Sequence, residues 1–303
     1  MYFPILTAKQ NELLALNELP EEIFCITVPI LILPKSKNLK SQLLKIIDKN
    51  IYFILVINSP NSSHPNQHEI QKEFIDEFLN DYENFSLAYI VNKETSPYDI
   101  TDFFDSNPNK KKSLLHYSEF PDHKFLLKNS QSKFDIYLRD KVSDDYVNNT
   151  ARGEIVYIKD GFKRKNTNRE YPEKSGFSSF IFTYESEGIY GFGDYNVIGK
   201  DVKDGGGSPY AIVLHLTTID KENITVYHFL SDDNDDQKNQ ANKFRQAVKK
   251  LVEHLDSNPM FEGEGIKDFR RNHTDQHFPN LGVCKRMSIK NHIEQITNAI
   301  SII

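Results

Sequence analysis

The sequence predicts an α/β protein of the (β/α)8 kind, TIM-barrel-like though irregular, with a C-terminal β-hairpin and further helices. Three observations point there. Apolar strand-like runs alternate with helical patterns from the first residue, the signature of βαβ units and a parallel sheet. The run over residues 24–33 is nearly continuous in Ile, Val and Leu, and a strand with no polar face must be covered on both sides. Eight such pairs fit into roughly 200 residues, as a compact barrel requires. A doubly wound sheet with fewer strands reads similarly.

Taken in order, residues 2–6 form a short β-prone run. Residues 9–19, rich in Leu, Ala, Glu and Gln, form a helix that Pro20 stops. The strand at 24–33 leads to a helix over 36–49. A third strand, 52–57, runs into a Ser/Asn/Pro loop, and its helix over 69–79 repeats Ile70, Phe74 and Phe78 on one face. Strands follow at 85–91, 113–117 and 133–138, with a short helix at 98–104. The seventh strand is 154–158 and the eighth 190–197, joined by a helix at 177–185 that its Ser, Thr and aromatic content makes weak.

Beyond Val197 the pattern changes. The triple glycine Gly205-Gly206-Gly207 reads as a hinge or linker, since it has neither P-loop nor Rossmann spacing. Residues 210–217 and 223–230 alternate as a hairpin turned at Asp220-Lys221-Glu222. Two strands cannot stand alone, so this hairpin must pack on the barrel or extend a sheet. The helix over 237–255 carries a stripe of Ala241, Phe244, Val248, Leu251 and Leu255. A less regular tail ends in a helix over 288–302. The organisation expected is a barrel-like core over 1–200, with 201–303 completing the same domain.

The net charge of −6 and pI of about 5.9 give the whole molecule no general attraction to nucleic acid, so any such contact must be a local basic patch. Cys25 and Cys284 are isolated from each other and from any Cys/His framework, which predicts two free thiols in a reducing compartment. With no basic, apolar leader and no run near the ~20 apolar residues of a span, the expectation is a cytoplasmic protein off the membrane.

In a parallel barrel the strand exits meet on one face. That face would gather Arg139, Lys159, Asp160, Asp194, Tyr195 and His116, a cation-rich set suited to a phosphate-bearing ligand. Arg139, Lys159 and Lys163 would clamp the anion, Arg169 and Tyr195 would support binding, and Asp160, Asp194 or His116 would do the acid–base work. Loop residues carry charge in any protein, so a solvated-loop explanation stands beside this one. The loop over 163–171, with Lys163, Arg164, Lys165, Arg169 and Tyr171, could hold phosphates or nucleic acid, or only face water. Gly191 and Gly193 beside Asp194 mark a bulge or a close approach by ligand or backbone. His273 and His277 are spaced for metal only if helical, and Pro279 favours a loop. No nucleophile elbow, zincin motif or cofactor fingerprint is present. His215 and His228 fit ordinary packing within the hairpin.

The segments MYFPILTAKQNELLAL, KDGFKRKNTNREYP, EGIYGFGDYNVIGKD, SPYAIVLHLTT, ITVYHFLSDD and HFPNLGVCKRMSIKNHIEQI resemble an uncharacterised bacterial family named after a myxobacterial (Sorangium) locus, distantly similar to the Beta protein family of phage satellites. The resemblance implies an accessory or mobile-element gene encoded beside a nuclease-like partner, hence a role in phage defence. It carries over no catalytic residue. Three functions follow as expectations: a phosphate-ligand component of such a system, a non-catalytic partner of the nuclease-like neighbour, or a nucleic-acid binder acting through 163–171.

Overall fold

The computed structural model describes residues 1–59, 61, 63–200, 207–221 and 223–302. The chain divides into two compact units. The first comprises Met1–Leu13, Phe24–Lys159 and Thr183–Asp194; the second comprises Leu14–Ile23, Asp160–Phe182 and Tyr195–Ile303. Residues 160–182 and 195–200 group with the hairpin and the last helices.

The first unit is an eight-stranded, all-parallel barrel. Its strands are β1 (Ile5–Leu6), β2 (Ile30–Ile32), β3 (Phe53–Val56), β4 (Phe85–Val91), β5 (Lys112–His116), β6 (Phe134–Leu138) and β7 (Glu154–Ile158). After β8 (Lys174–Gly176), which belongs to the second unit, β9 (Gly191–Gly193) completes the ring beside β7. Tyr2 bridges Thr27 on one side and Phe192 on the other. Phe3 N donates to Phe192 O at 2.8 Å, Phe192 N to Met1 O at 3.1 Å and Ile5 N to Asp194 O at 2.9 Å, which closes the seam.

Strand alternation sorts the side chains into two layers. The row Ile90, Leu115, Ile136, Val156 and Gly191 is in register around the ring and faces inward. The adjoining row Val91, His116, Tyr137, Tyr157 and Phe192 faces outward, because His116 meets Tyr146 of an outer helix. The seam depends on missing side chains. A Cβ on Gly191 would lie 2.4 Å from the Phe3 ring, and one on Gly193 would lie 1.9 Å from the Phe3 carbonyl oxygen. The close approach that these glycines mark is thus by backbone.

The outer helices are α1 (Gln10–Glu18, whose last turns join the second unit), α2 (Leu39–Asp48), α3 (Gln67–Glu69), α4 (Pro97–Asp105), α5 (His123–Asn129) and α6 (Asp144–Thr150). A capping box between Asn66 and Glu69 starts α3, which continues over Ile70–Phe78 with i→i+5 hydrogen bonding and buries Ile70, Phe74 and Ile75. Ser96 and Asp99 form a second capping box on α4. The helix expected at 177–185 is absent. After β7 the chain instead makes a long excursion with single 3-10 turns at Asn168–Glu170 and Phe180–Phe182, contributing β8 on the way. The eighth strand stops at Gly193, ahead of a 3-10 turn at Asn196–Ile198.

In the second unit β10 (Val213–Asp220) and β11 (Asn223–Leu230) form the expected hairpin. Lys221 turns it at φ +51°, while Glu222 lies outside the described residues, as does the triple glycine apart from Gly207. β8 adds a third antiparallel strand against β11, so the hairpin does not stand alone. Helices α7 (Gln240–Ser257), α8 (Glu264–Thr274) and α9 (Leu281–Ile302) complete the unit. Phe244, Val248, Leu251 and Leu255 of α7 bury against Leu214, Leu216, Phe269 and Met287. Helix α9 covers the open edge of β10: Ser288 Oγ accepts from His215 N at 3.3 Å and Asn291 Oδ1 from Thr217 N at 2.7 Å. Those amides would otherwise be unpaired sheet-edge donors. Glu294, one turn on, accepts from the Glu264 and Gly265 amides and caps α8. Among the described residues no helix is long and apolar enough to cross a membrane.

Candidate functional site

The acid–base candidates are built into the fold. Asp194 is only 2% exposed, and its Oδ1 accepts from the Tyr2 hydroxyl at 2.9 Å. Burial and that carboxylate together hold the Tyr2 phenol well above its ordinary range. Asp160, in the second unit, accepts from Phe162 N at 3.1 Å and from Lys200 N at 2.8 Å, so it organises two chain segments with backbone donors.

His116 ends β5, but its side chain faces the outer helices and not the barrel mouth. It is fully buried in the outward row, with Nδ1 2.9 Å from the Tyr146 hydroxyl, Nε2 3.9 Å from Asp135 Oδ1 and its ring stacked on Tyr137. Asp135 in turn accepts from Ser132 Oγ at 2.5 Å, Arg152 N at 2.6 Å and Gly153 N at 2.7 Å. Burial pushes the Asp135 carboxyl up, but His116 and the hydrogen bonds from Ser132 and Arg152 outweigh it and hold the group below its ordinary value. This network ties sheet to outer layer.

The expected anion clamps divide. Arg139 is taken: it pairs with Asp144 at 2.9 Å and lies over the Tyr157 ring at 4.9 Å. Tyr195 is buried, and its carbonyl receives the Ile198 and Gly199 amides of the following turn. Lys159 is exposed at the end of the first unit. Lys163 and Arg169 lie in the second unit on an exposed segment with Arg164, Lys165 and Lys174. Here five cations face two carboxylates, Glu170 and Glu173. Among the described residues no carboxylate stands within ion-pair distance of Lys163, Lys165, Arg169 or Lys174. Several other cations of the same unit are compensated, though not all: Lys250 by Asp232 at 2.5 Å, Lys267 by Glu264 at 2.7 Å, Arg270 by Asp256 at 2.6 Å, and Arg286 and Lys290 by Glu18 at 2.8 Å.

The basic segment is held at its roots. Asn168 Nδ2 donates to Ala211 O at 2.7 Å, and the Arg169 guanidinium lies 4.7 Å over the ring of Tyr210, which is 47% exposed. Phe162 and Tyr171, at the two ends, pack against His215 and His228, with ring centroids between 4.8 and 6.2 Å apart. The two imidazoles meet Nδ1 to Nδ1 at 2.8 Å, a contact that requires at least one of them to be neutral. Burial, then His228 and Lys285, push His215 well below its ordinary value; burial, then Lys165, bring His228 down to about 4.

Lys174 and Tyr210 lie outside the stretch the sequence singles out. Strand β8 carries the first and a side chain 41 positions from Arg169 the second, so no local motif announces either. His273 lies in the last turn of α8 and His277 beyond it, exposed, and among the described residues no group of three or more His, Cys, Asp or Glu could hold a metal. Cys284 is buried in the apolar core of the second unit, which pushes its thiol up to about 12. No family model, no curated protein and no solved structure matches this chain.

Proposed function

We propose that this protein binds single-stranded nucleic acid through residues 163–174, as a component of a bacterial defence or mobile-element system. One observation carries the reading: Lys163, Lys165, Arg169 and Lys174 lie on one exposed segment with no carboxylate of the described residues within ion-pair distance, in a chain whose net charge is −6. Uncompensated Lys and Arg on an exposed segment release counterions when they meet phosphates, and that supplies affinity without sequence preference. The Arg169–Tyr210 stack adds a flat, exposed surface on which a base can rest. This reading narrows the phosphate ligand expected from the sequence to a polyanion. The setting, including a nuclease-like partner, rests on the family resemblance alone; such a partner would act on the strand held here.

The test is fluorescence anisotropy of a labelled oligothymidine against salt. Four or five phosphate contacts give a log–log slope of about −3 for single strands. The triple variant Lys163→Ala, Arg164→Ala, Lys165→Ala should weaken binding and flatten the slope by about 2. Salt-independent binding, or a triple variant that binds like the wild type, would sink the proposal.

A further inference from the structure

A second cluster lies at the root of the basic segment, on one face of the three-stranded sheet. Ser175 of β8 is the register partner of Val226, and the next position on that face of β11 is His228, opposite His215 of β10. Ser175 Oγ lies 2.8 Å from Nε2 of His228, whose Nδ1 is the atom that meets His215 at 2.8 Å. In one of the two tautomers the pair allows, His228 donates from Nδ1 to His215, and its Nε2 lone pair accepts the serine hydroxyl. That is the order nucleophile, base, orienting group, with an imidazole where a carboxylate commonly stands. Tyr171 and Phe162 pack on the rings and fix their orientation, and β10 is itself held by Ser288. His228 is buried, whereas Ser175 is half-buried.

We propose that Ser175 is a nucleophile, with His228 as its general base and His215 as the positioning residue, and that the electrophile is a phosphate ester. The choice of electrophile rests on the nucleic-acid reading above; the nucleophile itself rests on geometry. In the first step the Oγ–P bond forms as the bond from phosphorus to the leaving alkoxide breaks. The serine proton passes to Nε2 of His228 and from there to the leaving oxygen. In the second step water attacks the phosphoserine diester, His228 takes the water proton and returns it to Oγ, and the phosphate product departs.

Diisopropyl fluorophosphate probes the nucleophile without any nucleic acid. Attack forms the Oγ–P bond, breaks P–F, and releases fluoride with the serine proton. Mass spectrometry of the full chain should show one diisopropylphosphoryl group, on the peptide containing Ser175. It should be absent from Ser175→Ala and slowed at least about 10-fold in His228→Gln. His215→Asp should label faster than His215→Phe, which a merely structural histidine would not produce, and the wild-type rate should fall as pH drops through about 4. No label, or label on another serine, overturns the relay even if one histidine variant fails to fold, because Ser175→Ala removes a single oxygen. A wild type that binds oligothymidine but takes up no probe overturns the relay and leaves the binding function standing. Labelling at Ser175 without oligonucleotide binding supports the nucleophile and overturns the nucleic-acid electrophile.

Discussion

Gly193→Ala tests the barrel seam. Neither Gly191 nor Gly193 has a positive φ, so alanine meets no backbone penalty and the cost is steric. The added methyl would start 1.9 Å from Phe3 O and 2.5 Å from Ile158 Cδ1. Relief to about 3.5 Å requires a shift of roughly 1.6 Å. The near atom is backbone, so the chain leading into β1 must move. Seam hydrogen bonds of 2.8, 2.9 and 3.1 Å do not survive such a shift intact. Losing two costs about 2 kcal/mol, and overpacking adds about 1–3. The expected loss is about 3–5 kcal/mol, a large share of a typical domain's stability. Urea unfolding followed by far-UV circular dichroism and by tyrosine emission measures it, since the chain has 15 Tyr and no Trp. Gly176→Ala is the control, because a Cβ there meets nothing within 4 Å, and it should stay within about 0.5 kcal/mol of wild type. A Gly193→Ala protein as stable as that control refutes the seam.

Two further outcomes follow from buried polar groups. His228 has a folded pKa depressed to about 4 against about 6.5 unfolded, so the unfolded chain takes the proton first. Its contribution is complete above pH ~6.5 and falls by about 1.4 kcal/mol per pH unit towards pH 4; urea midpoints at pH 7 and pH 5 should differ less in His228→Gln than in wild type. Asp135→Ala strands the buried Ser132 hydroxyl and leaves the part-buried Arg152 and Gly153 amides without their acceptor, and should cost about 2–3 kcal/mol in thermal or urea unfolding, with a change under 1 kcal/mol counting against the network.

The barrel was legible wherever burial alone specifies a strand. Residues 85–91 form β4 end to end because both faces are covered and every position is buried. Short elements were not. Helices α5 and α6 have seven residues each; their caps, Asp122 and Ser143, are visible signals, but seven residues are too few for an apolar period to repeat. Helix α8 reads as irregular tail because Glu294, the carboxylate that caps it, comes 30 positions later than Glu264. At residues 177–185 the weak propensity noted in the sequence was the better guide: the alternation of a barrel invites a helix there, and the Ser/Thr/Phe-rich segment makes only a single 3-10 turn.

For the site, composition located the cations but could not say which are available. Arg139 and Lys163 look alike in the sequence, each charged and near the end of a strand. In the fold Asp144 claims the first at 2.9 Å, while no described carboxylate approaches the second. The same holds for the nucleophile candidates. A serine and two histidines spread over 54 positions have no spacing to recognise, and only the antiparallel register of β8, β11 and β10 puts Ser175, His228 and His215 on one face. Because side chains alternate with a period of two, a slip of one position in any of these strands would send its residue to the other face of the sheet and break the cluster. Whatever chemistry the second unit performs is therefore fixed by strand pairing, and α9 fixes that pairing by holding the edge of β10 through Ser288 and Asn291.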